Sequence, residues 1–476
     1  MPDKATPHSL RYVAALDGLR AIAVLMVFLA HLGVMRGGVY GVEIFFVLSG
    51  YLITEVLANS HGQRGFLGTF YFRRFLRLFP PLALVCIVVV IAAWLGKWDP
   101  NVHTDALSSV LYTQAWTRAL DLSPSYLLAH TWSLSVEEQF YLVWPLLWIL
   151  LVRFKDARVT MGIAVGLLVV AYAYQFFMAH TASYEGRVYM APDTRSQAIL
   201  IGAVGSMASR MPGISQKIVR AMASVPLLTL PFAIFISHAA DWGVERGLVV
   251  SVLTLMVILR VVVHRESVDS KVLSVSPLVG FGKISYGFYL WHLPILYVLL
   301  YVYGLGVLVA GVLGFSASLV ASYASYRWLE RPALRLRSVA LPSVQTRAGI
   351  AAFALSVTSI IGGLVYFQWA DVQRIWNGQD LQVVKYGPMA YQIGDPGPLQ
   401  ADGSLAMWVM MNGRPDRQST AIVNGYAARV TVAKDGMSIM LPKVVTAIPG
   451  KVEVRILTND GQQQVTPIAL DVLPPQ

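Results

Sequence analysis

Residues 16–31 read LDGLRAIAVLMVFLAH, an apolar run that with its flanks is long enough to cross a bilayer and that carries Arg20 near its start and His31 at its end. Eleven residues separate the two ionisable groups. At about 100° per residue they return to within roughly 20° of one helix face, about 16 Å apart along the axis. An arginine and a histidine are costly inside lipid, so a face carrying both is expected to look into a bundle interior or a wet cavity. The competing reading is an arginine that snorkels to the headgroups and a histidine hydrogen-bonded within a packed bundle.

The run is the first of many. Of 476 residues, 56% are hydrophobic and only 13% are charged, too little polar surface for a soluble chain of this size. Apolar stretches at about 14–35, 41–58, 78–96, 133–152, 159–178, 197–209, 222–238, 247–263, 284–303, 305–326 and 347–367 give eleven expected spans, the sixth being the shortest. The fold class expected is therefore a polytopic α-helical membrane protein. No small-residue cleavage site follows the first span, which is expected to stay in place. The net charge of +11 sits mostly in short connections, where it sets topology rather than binding nucleic acid. With the N-terminus inside, 21 lysines and arginines fall on the cytoplasmic side and 6 on the other. The only cysteine, Cys86, lies in an apolar run, which excludes an intrachain disulfide and a cysteine metal site, and no metal is expected.

After Trp369 the pattern changes. Turns such as Asp402-Gly403, Asp435-Gly436 and Asp460-Gly461 separate short alternating runs, among them ARVTVA (428–433) and KVEVRIL (451–457). These predict a small all-β, sandwich-like domain, which an odd number of spans places outside the cytoplasm. The division expected is 1–340 for the main membrane domain, 341–371 for an additional helix and linker, and 372–476 for the β domain. No histidine follows His292, so the β domain holds no Ser-His-Asp set. It reads as an accessory module or as a structural cap.

Four further stretches carry candidate chemistry. In GVEIFFVLSGYLIT (41–54), Glu43 opens the second span at the level of His31, or simply favours the helix dipole from the first turn. FYFRRFLRLFPP (70–81) reads as an inner loop in which Arg73, Arg74 and Arg77 either anchor to anionic lipid or clamp phosphates. HTWSLSVEEQFYLVWP (130–145) contains Trp132 and a Ser135-x-x-Glu138 spacing that fits a capping box. That leaves Glu137 to orient His31 and stabilise its imidazolium form. In ISYGFYLWHLPIL (284–296), His292 precedes Pro294, which loosens or kinks a helix; His292 is a core histidine or a substrate contact.

Taken together, these five stretches resemble the membrane acyltransferase 3 family, polytopic O-acyltransferases of bacterial envelope glycans. The resemblance covers about residues 11–335, in the family's order. It implies transfer of an acyl group, usually acetyl, from cytoplasmic acyl-coenzyme A to a carbohydrate hydroxyl at the outer face of the bacterial inner membrane. The family's essential histidine falls on His31, its first-span arginine on Arg20, its loop arginine pair on Arg74 and Arg77, and its fourth-span glutamate on Glu137. Arg20, Arg73, Arg74 and Arg77 would then hold the donor, while Glu43, Trp132, Glu138 and His292 would face the acceptor. Two features depart from the family. Aspartate is commoner where this chain has Glu43, and the tail is too short for the hydrolase-like C-terminal domain of many members and lacks its serine motif and any histidine, so that domain is not expected here. The competing classes are a transporter or flippase of glycan intermediates, for which the two halves show no related hydropathy, and a glycan-binding protein, for which eleven spans exceed what anchoring needs.

Overall fold

The computed structural model describes residues 12–474 except 64, 100, 121–124, 155, 182–184, 212–213, 225–242, 340–341, 377–382, 394–404, 412–418, 425, 434–435, 442–445, 447–448, 459–462 and 465–467. The chain forms two compact units, Met1–Phe367 and Gln368–Gln476.

The first unit is helical. In chain order its helices are α1 (Ala14–His31), α2 (Gly41–Ser60), α3 (Phe66–Gly96), α4 (Val102–Val110), α5 (Gln114–Ala119), α6 (Trp132–Leu151), α7 (Ala157–Thr181), α8 (Glu185–Met190), α9 (Pro192–Arg210), α10 (Ile214–Met222), α11 (Val244–Val263), α12 (Val268–Leu273), α13 (Ser276–Lys283), α14 (Ser285–Tyr297), α15 (Val307–Ser325), α16 (Arg331–Val339) and α17 (Pro342–Trp376). Among the described residues, nine helical stretches are long and apolar enough to cross a membrane, and they coincide with nine of the eleven expected spans. Of the other two, 222–238 lies almost wholly outside the described residues. The expected span 197–209 is α9, which carries Asp193, Arg195 and Arg210 and is too polar to count among the nine. Lys4, Arg11, Arg64 and Lys155, used to orient the chain, also lie outside the described residues.

The helices around the candidate site pack closely. Helix α2 lies against α9, and a Cβ on Gly50 would stand 1.8 Å from the carbonyl oxygen of Ile199, while one on Gly202 would stand 2.0 Å from that of Val47. Only hydrogen at both positions lets the two backbones meet, the small-residue contact by which helices associate without a hydrophobic driving force. Helix α1 packs on α2, α13 and α14, and α6 packs on α2 and α9.

Two local expectations need correction. FYFRRFLRLFPP is not a loop: it lies within α3, which continues through Pro80 and Pro81. Its aromatic residues find helical neighbours, with the Tyr71 hydroxyl donating to the Leu142 carbonyl at 3.2 Å and Phe75 stacked on Phe79. The capping box is also absent. Helix α6 starts at Trp132 with Thr131 as its N-cap, so Ser135 is already inside the first turn and its hydroxyl donates back to the Thr131 carbonyl at 3.4 Å.

The second unit is a β domain. Its strands are β1 (Val383–Gly387), β2 (Ala390–Gln392), β3 (Leu405–Met411), β4 (Thr420–Val423), β5 (Tyr426–Ala433), β6 (Gly436–Leu441), β7 (Gly450–Thr458), β8 (Gln463–Gln464) and β9 (Ile468–Leu473). They pair in the order β1-β3-β6-β5-β4-β7-β9-β2, with β8 on β7. Strand β5 pairs with β4 through Tyr426–Ala428 and with β6 through Arg429–Ala433, so it passes from one half of the sheet to the other. The period-two pattern buries Leu405, Met407, Val409 and Met411 from β3 with Val452, Val454 and Ile456 from β7. The expected turns at Asp402-Gly403, Asp460-Gly461 and Asp435 lie outside the described residues.

Candidate functional site

The two groups that opened the sequence mark the two ends of one unbroken helix. Arg20 and His31 both lie on α1, so the separation of about 16 Å along its axis holds. Each end gathers a different set of partners.

At the His31 end three imidazoles converge. His31 and His292 have ring centres 5.0 Å apart, and His292 and His130 5.2 Å apart. His31 Nδ1 lies 3.0 Å from the Val27 carbonyl oxygen and 3.1 Å from His292 Nε2. A carbonyl can only accept, so the proton of neutral His31 sits on Nδ1 and the lone pair on Nε2. His292 Nδ1 lies 2.6 Å from the Tyr289 carbonyl and by the same logic is protonated, leaving its Nε2 to accept from His31. His292 is fully buried, stacked 2° from parallel with Phe288. His31 itself is exposed at the end of α1.

Pro294 supplies the third imidazole with its partner. Because proline has no N–H, the carbonyl four residues back, that of Leu290, loses its helical donor. His130 Nε2 occupies that vacancy at 3.2 Å. The expected loosening at Pro294 thus takes the form of a freed acceptor, while α14 runs on without a break into a π-helical turn at Val298–Val302. The Tyr289 hydroxyl, 2.6 Å from the His130 carbonyl and 2.7 Å from Ser133 Oγ, ties α14 to the start of α6.

At the Arg20 end the groups are charged. Arg20 pairs with Asp17 at 3.3 Å, three residues earlier on α1. Arg74 is enclosed by Glu138 at 3.1 Å, Glu137 at 3.8 Å and the Tyr141 ring, whose centre lies 3.2 Å from the guanidinium carbon. Glu137 also accepts from Ser49 Oγ at 3.0 Å and the Tyr141 hydroxyl at 3.1 Å. The expected pairing of Glu137 with His31 is therefore not formed. Adjacent glutamates point about 100° apart, but both reach Arg74 because its long side chain enters from α3 between them. Glu138, assigned to a cap, is instead the nearer ion-pair partner of Arg74. Arg73 and Arg77 are exposed on α3, and Arg77 lies within electrostatic range of Arg20 and Arg74.

Glu43 and Trp132 belong to neither end. Glu43 is 1% exposed and pairs at 2.7 Å with Arg195, itself completely buried. The Arg195 guanidinium lies over the rings of Tyr189, Phe46 and Trp132 at 5.0, 5.6 and 5.6 Å. The arrangement joins α2, α6, the α8 segment and α9, and it keeps both Glu43 and Trp132 out of an open acceptor position. Sequence reading missed Arg195, counted as a connection residue, along with His130, Tyr289 and Asp17. A histidine beside an expected helix start and a proline four residues after Leu290 were the available signals for His130.

With this geometry in hand, comparison with known proteins gives the class. The sequence pattern of the acyltransferase-domain family Acyl_transf_3 matches residues 13–327. The chain belongs to that acyltransferase family. It is 32% identical over 316 residues to the peptidoglycan O-acetyltransferase OatA of Listeria monocytogenes, covering 62% of this chain and 51% of the relative. It is 33% identical over 356 residues to the O-acetyltransferase OatA of Staphylococcus aureus, covering 68% and 58%. The chain thus spans between half and three-fifths of the length of these curated relatives. No solved structure matches it. The nine apolar helices and the family together make this a multi-pass membrane protein, and every candidate residue above lies within the matched segment.

Proposed function

We propose that this protein is an integral membrane O-acyltransferase that moves an acyl group, in the first instance acetyl, from cytoplasmic acyl-coenzyme A to a hydroxyl of an envelope carbohydrate across the bacterial cytoplasmic membrane. The observation that carries the reading is His31, exposed at the end of α1, with Nδ1 tied to a carbonyl and Nε2 left as the base. The 21 to 6 distribution of basic residues supports placing the Arg20 end at the cytoplasmic side. The residues at that end suit a phosphorylated donor. Guanidinium groups pair with phosphate bidentately; Arg73 and Arg77 are exposed on α3, and Arg77 lies within electrostatic range of Arg20. Arg77, with Arg73 and Arg74 on the same helix, holds the donor head, and Arg20 lines the way.

In direct transfer, His31 Nε2 takes the proton of the carbohydrate hydroxyl as its oxygen bonds to the thioester carbonyl carbon. The carbon–sulfur bond then breaks, and the departing thiolate recovers that proton from Nε2. A covalent route would use the same nitrogen as nucleophile. The β domain, outside the matched segment and without a histidine, is an accessory to acceptor binding or positioning. The transporter alternative finds no support in the family.

The test is acetyl transfer from acetyl-coenzyme A to a soluble glycan fragment by the protein in proteoliposomes. His31→Ala is expected to lower the rate about 10²–10⁴-fold, the usual loss for a general base. A rate within a few-fold of the parent overturns the assignment.

A further inference from the structure

We propose that His292 is the positioning residue for His31, its neutral ring filling the place that a carboxylate takes in most histidine bases. The inference rests on the reading of His31 as the base. His31 meets two acceptors, and they differ in kind. The Val27 carbonyl lies four residues back on the same helix and keeps the proton on Nδ1. His292 Nε2 comes from α14 and fixes the ring against rotation about its own side-chain bonds. His292 can serve this purpose because its own orientation is determined twice, by the Nδ1–H bond to the Tyr289 carbonyl and by stacking on Phe288.

The bookkeeping of protons follows from these contacts. When Nε2 of His31 takes up a proton, the Nδ1–H becomes part of an imidazolium, and its bond to a fixed acceptor strengthens. No proton passes on through His292, since its Nδ1–H donates to the Tyr289 carbonyl, which cannot take that proton up and offers no onward path. His31 returns its Nε2 proton to the thiolate and Nδ1–H stays where it began. The titratable groups facing the pair are His130, from the segment before α6, and Tyr289, from α14. Among the described residues no carboxylate is hydrogen-bonded to any of the three imidazoles, while Glu137 is occupied by Ser49, Tyr141 and Arg74.

The experiment uses the full-length protein in nanodiscs with acetyl-coenzyme A and a soluble oligosaccharide acceptor. His292→Asn keeps an amide near the Tyr289 carbonyl but has no acceptor at the former Nε2. His292→Gln places an amide oxygen there. A neutral acceptor contributes less than the base itself, so His292→Asn is expected to lower kcat about 10- to 100-fold with KM for both substrates nearly unchanged. His292→Gln is expected to recover most of that loss, and His292→Asn in a His31→Ala background to cause no further loss. If the asparagine variant does not fold, His292→Met, similar in bulk and without the acceptor, replaces it. Equal losses in the glutamine and asparagine variants would show packing alone. A raised KM with unchanged kcat would show substrate contact, and full activity in His292→Asn would show no role; each result overturns the proposal. If His31→Ala abolishes transfer while His292→Asn does not alter it, only the positioning role fails. If His31→Ala is active, the underlying reading fails as well.

Discussion

Replacing Glu43 by glutamine removes one charge from a pair sealed inside the helical unit, and the geometry sets the size of the effect. The carboxylate and the Arg195 guanidinium lie 2.7 Å apart, with side chains 2% and 0% exposed. At that distance and an effective dielectric constant of about 20, their attraction is about 6 kcal/mol. Glutamine keeps one hydrogen bond, and the faces of Tyr189, Phe46 and Trp132 still offer the cation roughly 0.5–2 kcal/mol. The net loss expected is about 3–5 kcal/mol, the range for removing one partner of a buried pair. The converse change, Arg195→Met, should cost less, because a stranded carboxylate can take up a proton whereas a guanidinium cannot lose one. Glu43→Leu with Arg195→Met should recover much of the stability. Equilibrium unfolding in detergent, run on each variant, measures all three. A Glu43→Gln protein within about 1 kcal/mol of the parent would refute the reasoning. One that is stable but inactive would move Glu43 from brace to acceptor site.

Three other outcomes are expected. Gly50→Ala puts a methyl group 1.8 Å from the Ile199 carbonyl oxygen, forces α2 from α9 and lowers stability by about 1–3 kcal/mol, read as a reduced unfolding midpoint; an unchanged midpoint would deny the close contact. Arg77→Ala removes an exposed guanidinium from the proposed donor mouth and should raise KM for acetyl-coenzyme A roughly tenfold or more with little change in kcat, the effect of losing one charged hydrogen bond. A fall in kcat alone would count against a role in donor binding. Truncation after Asp371 should leave transfer to small soluble acceptors intact and alter the choice among polymers, as measured by ester analysis of mixed glycans. Loss of all transfer would make the β domain part of the catalytic machinery.

The sequence was most legible where the physics is local. Nine apolar spans, the alternation in ARVTVA and KVEVRIL, and the shared face of Arg20 and His31 all follow from periodicity within one segment. Partners in other helices were legible only as possibilities. Ser135 and Glu138 have capping-box spacing, but the cap depends on where the helix begins, and Thr131 starts it one turn earlier. Glu138 is then spare, and Arg74 claims it along with Glu137. Arg195 was counted in a connection because a lone arginine beside an apolar run has no visible counter-ion in its own segment; its partner lies 152 positions back, at Glu43.

That redistribution bears on how the two ends of α1 act on one another. A single unpaired charge at the Arg20 end would act on His31 across about 16 Å with roughly 1 kcal/mol at an effective dielectric constant of 20. Each further unpaired arginine beside Arg20 would add to this opposition to a positive imidazolium. Asp17, Glu137 and Glu138 stand among the same arginines, so most of this field cancels. The carboxylates absent from the histidine cluster thus have a use where they are: by neutralising these arginines they allow an arginine-rich end to coexist with a proposed base that must become cationic in its turn.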